Sequence, residues 1–282
     1  MTTRSDTARP DAARSDAPPG PGPATPRATL RAASRATSAA AVPAPPPAVP
    51  AVTAPDEAAV LARVRDTAEE VFAALADVRA ATAGRARAVR RGGRALVSAD
   101  LAALRPLLFG RLGTIIAGIG FIAAPGLLAD APWYLEWWQE SPAGPPVQLL
   151  RDLDPSSSAF YDYTHWDWYT GPESGAERTV CGPYVDYLCT DEYSLTLSVP
   201  VTLDGVFLGV AAADVFVRRF QAAVLPALRE VPVPAFLVNA QGRVVASNTA
   251  RWVAGSVYRG AEGFAVRPVP GLPLALVEGT GR

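Results

Sequence analysis

The first regular pattern along the chain has helical spacing. Val60, Val64, Val71, Leu75 and Val78 stand three, four or seven residues apart, one apolar stripe along a long amphipathic helix reaching about residue 83. Thr53, with Asp56 three residues later and Pro55 in the first turn, marks its start. Arg85, Arg87, Arg90, Arg91 and Arg94 follow, interrupted by Gly92 and Gly93. No aromatic is interleaved with them, so they read as a solvated helix end rather than a nucleic-acid patch. Residues 98–109 present Leu101, Leu104, Leu107 and Leu108 as a second helical segment. The 18 residues 112–129 then carry no charge. They fall short of the roughly 20 needed to span a bilayer and contain Pro125 and several glycines, so no membrane span is expected. Gly118-x-Gly120-x-x-Ala123 formally fits a dinucleotide fingerprint, but Pro125-Gly126 would break the helix that the fingerprint requires. The reading that fits is a buried strand over 114–122 at the centre of a sheet, with glycines where something packs close to the backbone.

Further along, the period changes to two. Tyr193, Leu195, Leu197, Val199 and Val201 alternate with Ser194, Thr196 and Ser198, a strand with one apolar face. Asp204-Gly205 makes a two-residue hairpin turn into a second strand over 206–215. If the turn closes tightly, Leu203 faces Val206 and Asp214 lies opposite Leu195, on the apolar face with Val206, Leu208 and Val210. A carboxylate there must be paired, hydrogen-bonded or protonated, and its partner is either the protein or a ligand. A one-residue bulge would turn the side chain to the other face.

Between these segments lies the densest aromatic region. Five of the six tryptophans fall within 36 residues, and Tyr161, Tyr163, Trp166, Trp168 and Tyr169 alternate with Asp162, Thr164, His165 and Asp167. Rings interleaved with carboxylates suit a cationic ligand, because ring faces attract ammonium and a carboxylate supplies the counter-charge.

Composition narrows the chemistry. All 26 basic residues are arginine, which removes lysine Schiff bases and the phosphate-binding P-loop. The formal net charge of -1 with 49% hydrophobic residues describes neither a disordered chain nor a polyanion binder, so no nucleic-acid partner is expected. One histidine, His165, and two cysteines, Cys181 and Cys189, cannot close a four-ligand zinc site, so neither metal nor cofactor is expected. The two cysteines are read as free thiols. Residues 1–55 hold 12 of the 28 prolines, and no aromatic precedes Phe72. Residues 1–53 are therefore expected to be a disordered Pro/Ala-rich tail.

The run Gly182-Pro183-Tyr184-Val185-Asp186, the strand 194–201, Gly205, Phe207-Leu208-Gly209-Val210 and Asp214-Val215 resemble the Cache family of bacterial small-molecule sensor domains. The resemblance covers about 54–281 and takes the double-Cache form. It implies an α+β fold: a long N-terminal helix with a ligand-binding lobe of PAS-like antiparallel sheet over 54–230, and a smaller second PAS-like lobe over 231–282. Strands near 234–238, 243–247 and 273–277 would build the second lobe. An amino-acid-binding motif of that family is matched by Tyr161, Trp168, Tyr169, Tyr184, Asp186 and Asp214, whereas the motif's arginine falls on Trp166. The resemblance thus implies a ligand with a cationic amine and no obligatory carboxylate, unless Arg178 restores the missing charge. It also implies no enzyme activity. His165 could serve a catalytic mechanism as a base, but no nucleophile elbow accompanies it. The expectation is a free-standing cytoplasmic sensor, signalling through a partner or through a homodimer built on the long helix. The competing reading is a structural or protein-interaction module with a vestigial pocket.

Overall fold

The computed structural model of the chain describes residues 55–141, 144–185 and 192–280. The expected tail, Asp186 and Cys189 lie outside the described residues.

Helix α1 spans Pro55–Arg91, eight residues beyond the predicted end. The buried stripe explains the extension: after Val78 it continues through Thr82, Ala86 and Val89. Thr82 keeps its hydroxyl satisfied by donating to the Val78 carbonyl at 2.8 Å. The helix ends at the glycine pair, with the Gly92 N–H closing on the Ala88 and Val89 carbonyls and Gly93 taking φ +70°. The arginines at this end meet carboxylates of the chain itself. Arg85 and Arg94 clamp Asp100, and Arg90 bonds Asp204 in the Asp204-Gly205 turn. The second helical segment is broken into α2 (Ser98–Leu101), a 3₁₀ turn (Ala102–Leu104) and α3 (Arg105–Phe109), with Pro106 at the start of the last piece.

A six-stranded antiparallel sheet follows, in the order β3-β2-β1-β6-β5-β4. Its strands are β1 (Ile116–Ala123), β2 (Leu135–Ser141), β3 (Gly144–Gln148), β4 (Thr179–Val185), β5 (Tyr193–Leu203) and β6 (Val206–Phe216). The uncharged run therefore forms a buried strand flanked on both sides, as predicted. The short helix α4 (Asp167–Glu173) crosses one face, and α1 lies on the other against β5, β6 and β1.

The β5–β6 hairpin corrects the predicted register. Leu203 pairs with Val206 and Thr202 with Phe207, but Val201 then pairs with Gly209, leaving Leu208 as the extra residue of a bulge. Gly209 supplies it with φ +139°, and a Cβ there would stand 2.1 Å from the Ile122 carbonyl oxygen. Asp214 consequently lies opposite Thr196, not Leu195. Leu208, Ala211, Ala213 and Val215 face α1 with the apolar side of β5. Val210, Ala212 and Asp214 face the other side, with Ser194, Thr196 and Ser198. The predicted company of Asp214 thus holds for Val210 and fails for Leu208.

Helix α5 (Val217–Arg229) leads from β6 to a four-stranded sheet ordered β8-β7-β10-β9. Its strands are β7 (Ala235–Asn239), β8 (Val244–Ser247), β9 (Phe264–Pro268) and β10 (Leu274–Gly279). One face joins the core around α1 and α5, and the other closes over a cluster of Phe236, Trp252, Tyr258 and Phe264.

Candidate functional site

The centre of the site is set by strand register. On the face away from α1, Gly118 of β1, Asp214 of β6 and Thr196 of β5 lie side by side. Asp214 is only 5% exposed and accepts a hydrogen bond from Thr196 Oγ1 at 2.7 Å. The hydroxyl of Tyr184, on β4, in turn donates to Thr196 Oγ1. Two predicted site residues on different strands are thereby tied together through a third that was not singled out.

Aromatic residues from the segment between β3 and β4 cover this floor. Ser198 Oγ donates to the Trp168 carbonyl at 2.7 Å, pinning α4 to the sheet. Trp168 and Tyr169 are buried, with rings edge-on at 6.2 Å between centroids. Tyr169 also packs against Phe207 and Tyr163. Tyr163 donates to the Ala123 carbonyl at 2.8 Å, and its ring meets Tyr161 and Trp133. Burial pushes the Tyr163 hydroxyl up to about 12 and raises that of Tyr169 as well, so both stay neutral at physiological pH.

Trp166 stands apart at the rim: it precedes α4, is 39% exposed and leans on the His165 ring. With Arg151, Asp152, Phe160, Tyr161 and His165 it lines an outer cleft of about 450 Å³. Asp162 borders that cleft, its carboxyl held below the usual range by donation from the Thr164 hydroxyl and backbone N–H.

The structure thus brings together Trp168, Tyr169, Tyr184 and Asp214, and places Tyr161 and Trp166 at the entrance. Arg178 does not restore a charge to the site. It is paired with Glu69 of α1 at 2.5 Å, donates to the Gly271 carbonyl and stacks over Phe72. Cys181, paired with Thr196 and so on the same face, is a free buried thiol, pushed up to about 12 by burial.

Besides Thr196, the sequence pattern did not assign Trp137 and Gln139 on β2, or Arg151 after β3, to the site. Trp137 is the object for which the β1 glycines make room. A Cβ on Gly118 would stand 3.1 Å from its Nε1, and one on Gly120 2.8 Å from its Cα. Glycine alternation signalled close packing on one face of β1, but not which residue supplied it.

Residues 149–222, which carry most of this cover and floor, match the family described as the methyl-accepting chemotaxis protein-like first PDC sensor domain. The fold resembles the extracellular domain of a protein titled as a histidine kinase, with TM-score 0.54 and 16% identity over 80% of this chain and 91% of that one. It also resembles the ligand-binding domain of the Pseudomonas aeruginosa PAO1 amino acid chemoreceptor PctB, solved in complex with L-Arg, at TM-score 0.52 and 16% identity over 78% of this chain and 89% of that one. A third similar structure is the ligand-binding domain of the Pseudomonas fluorescens chemoreceptor CtaA in complex with L-valine, at TM-score 0.51 and 15% identity over 78% of this chain and 91% of that one. No curated protein matches the chain.

Proposed function

We propose that this chain, whose residues 149–222 match the first PDC sensor domain of methyl-accepting chemotaxis protein-like receptors, is a small-molecule sensor that binds a cationic amine or amino-acid-like ligand between the sheet and its aromatic cover. The observation that carries this reading is Asp214: a carboxylate buried at the centre of a sheet, on the face that carries the aromatic cluster of Trp137, Tyr163, Trp168 and Tyr169. A ligand ammonium would bring that carboxylate a counter-charge, and ring faces add attraction for an ammonium group of about 0.5 to 2 kcal/mol each. Trp168, Tyr169, Tyr184 and Asp214 would hold the cation, Tyr161 and Trp166 would close the entrance, and Asp186 would add a second carboxylate. The chemoreceptor domains named above were solved with L-Arg and L-valine, which supports a ligand of this kind.

Connectivity supports a signalling role. Asp214 is three residues from the start of α5, which packs against α1 and β8. A ligand that draws on Asp214 would therefore bias the end of β6 and, through α5, the second sheet. The apolar stripe of α1 is consumed inside the chain. A homodimer built on this helix would thus use its outer face of Arg63, Asp66, Glu70, Ala73 and Asp77.

The test is a thermal-shift panel of primary amines, quaternary ammonium compounds, amino acids and small carboxylates on the full chain. A ligand at 100 times its Kd adds about 2.7 kcal/mol, roughly 5 to 11 °C. Stabilisation by amines or amino acids, lost in Trp168→Ala while the variant still melts cooperatively, is the expected result. A response to carboxylates alone, or none at all, would refute the reading.

A further inference from the structure

Asp214 accounts for one side of the proposed pocket. Beside it, β1 presents glycine at Gly118 and Gly120, and the Trp137 ring lies across both. The nitrogen edge of the indole sits over Gly118, the residue in register with Asp214. Trp137 is 5% exposed, yet its Nε1 has no hydrogen-bond partner among the described residues. An indole N–H can only donate, and buried donors in folded proteins are almost always met.

Trp137 has company. Gln139 pairs with Gly118 from the other side, so its side chain shares the face of Asp214. Its buried Nε2 is also unpartnered, as is the buried Nε of Arg151, beyond β3. Among the described residues, three buried nitrogen donors without acceptors therefore lie toward the β2–β3 side of the sheet, and the carboxylate of Asp214 stands on β6. Since neighbouring strands lie about 4.8 Å apart, the indole nitrogen over β1 stands about one strand spacing from β6 and Gln139 on β2 about two, a range that a small dipolar molecule can span.

We infer that Trp137 Nε1, with Gln139 beside it and Arg151 beyond, forms a subsite for an acceptor oxygen of the same ligand whose cationic group meets Asp214. The ligand lies with its oxygen toward the β3 edge, and Trp137 is a specificity-determining contact. This rests on the pocket proposed above but goes further: a bare amine satisfies only half the site.

Matched probes separate the two claims: L-valine with isobutylamine, and L-arginine with agmatine, each amine being its amino acid without the carboxylate. Calorimetric titration of the full chain should show the wild type binding at least one amino acid more tightly than its amine. Trp137→Phe keeps a ring and removes the N–H; it should weaken that amino acid about tenfold and leave the amine unchanged. Gln139→Met provides the same comparison if Trp137→Phe does not fold. Equal weakening of both probes, no change in either, or a wild type that prefers the amine would overturn the subsite while leaving the pocket standing. A wild type that binds none of the four would overturn both.

Discussion

Glycine at positions 118 and 120 is what allows a tryptophan to lie flat on the central strand. At Gly120 the constraint is backbone as well as ring, because an added Cβ would meet the Glu136 carbonyl oxygen at 2.3 Å. Gly120→Ala should therefore cost about 1–3 kcal/mol or more, read as a lower midpoint in urea. It should also reduce the response to any ligand, since Trp137 must move. Cys181 offers a second check on burial. A thiol raised to about 12 is almost entirely protonated at neutral pH, and the thiolate is the reactive form. Iodoacetamide should leave the Cys181 peptide unlabelled in the native protein and label it once the chain is unfolded; rapid native labelling would contradict its burial in the aromatic cluster. The need for close packing on β1 was legible in the alternating glycines, whereas the identity of the packing residue was not. That identity depends on which distant strand becomes the neighbour, information that only the register supplies.

Elements are held in place by charges that the apolar pattern does not reveal. Glu136, fully buried on β2, accepts from Arg105 Nε at 2.9 Å, the Tyr134 hydroxyl at 2.7 Å and Trp138 Nε1 at 2.6 Å, fastening α3 to the sheet. Glu136→Ala would leave these donors unmet and should cost about 3–5 kcal/mol; a loss below 1 kcal/mol would mean the network is dispensable. Asp100 does the same for the end of α1. Hydrogen bonds from Arg94, together with the Val97 N–H and Arg85, hold its carboxyl well below the ordinary carboxylate range. A depressed folded-state value means that its stabilisation is present above about pH 4 and is lost as pH falls toward the folded value. The difference in Tm between wild type and Asp100→Asn should accordingly be largest near neutral pH and shrink below pH 4. The long helix and the hairpin were both legible, one from its period of 3.6 and the other from Asp204-Gly205. The bulge at Gly209 was not, because a glycine in a strand is compatible with regular pairing. It was the bulge that decided which face Asp214 occupies. Asp214 is nevertheless buried, because the polar face of β5 is roofed by α4.

The molecule as a whole joins two antiparallel sheets through α1 and α5, with the site on the larger sheet and a direct path along β6 into α5. The second sheet was legible in three of its four strands; β9 was missed because its residues alternate only weakly and are half exposed. If ligand binding tightens β6 against the aromatic cover, amide exchange should slow over 206–229 and in the part of α1 that touches α5, beyond the residues lining the pocket. Protection confined to the pocket would argue against transmission by this route. The central claim, that Asp214 holds the cationic group of a ligand, is tested most directly by calorimetric titration of wild type and Asp214→Asn with the strongest stabiliser from the amine and amino-acid panel. Neutralising the carboxylate removes the counter-charge and preserves the shape of the side chain, so the account predicts a cooperatively folded variant whose affinity is lost or reduced at least tenfold. A folded Asp214→Asn that binds as tightly as the wild type would contradict it.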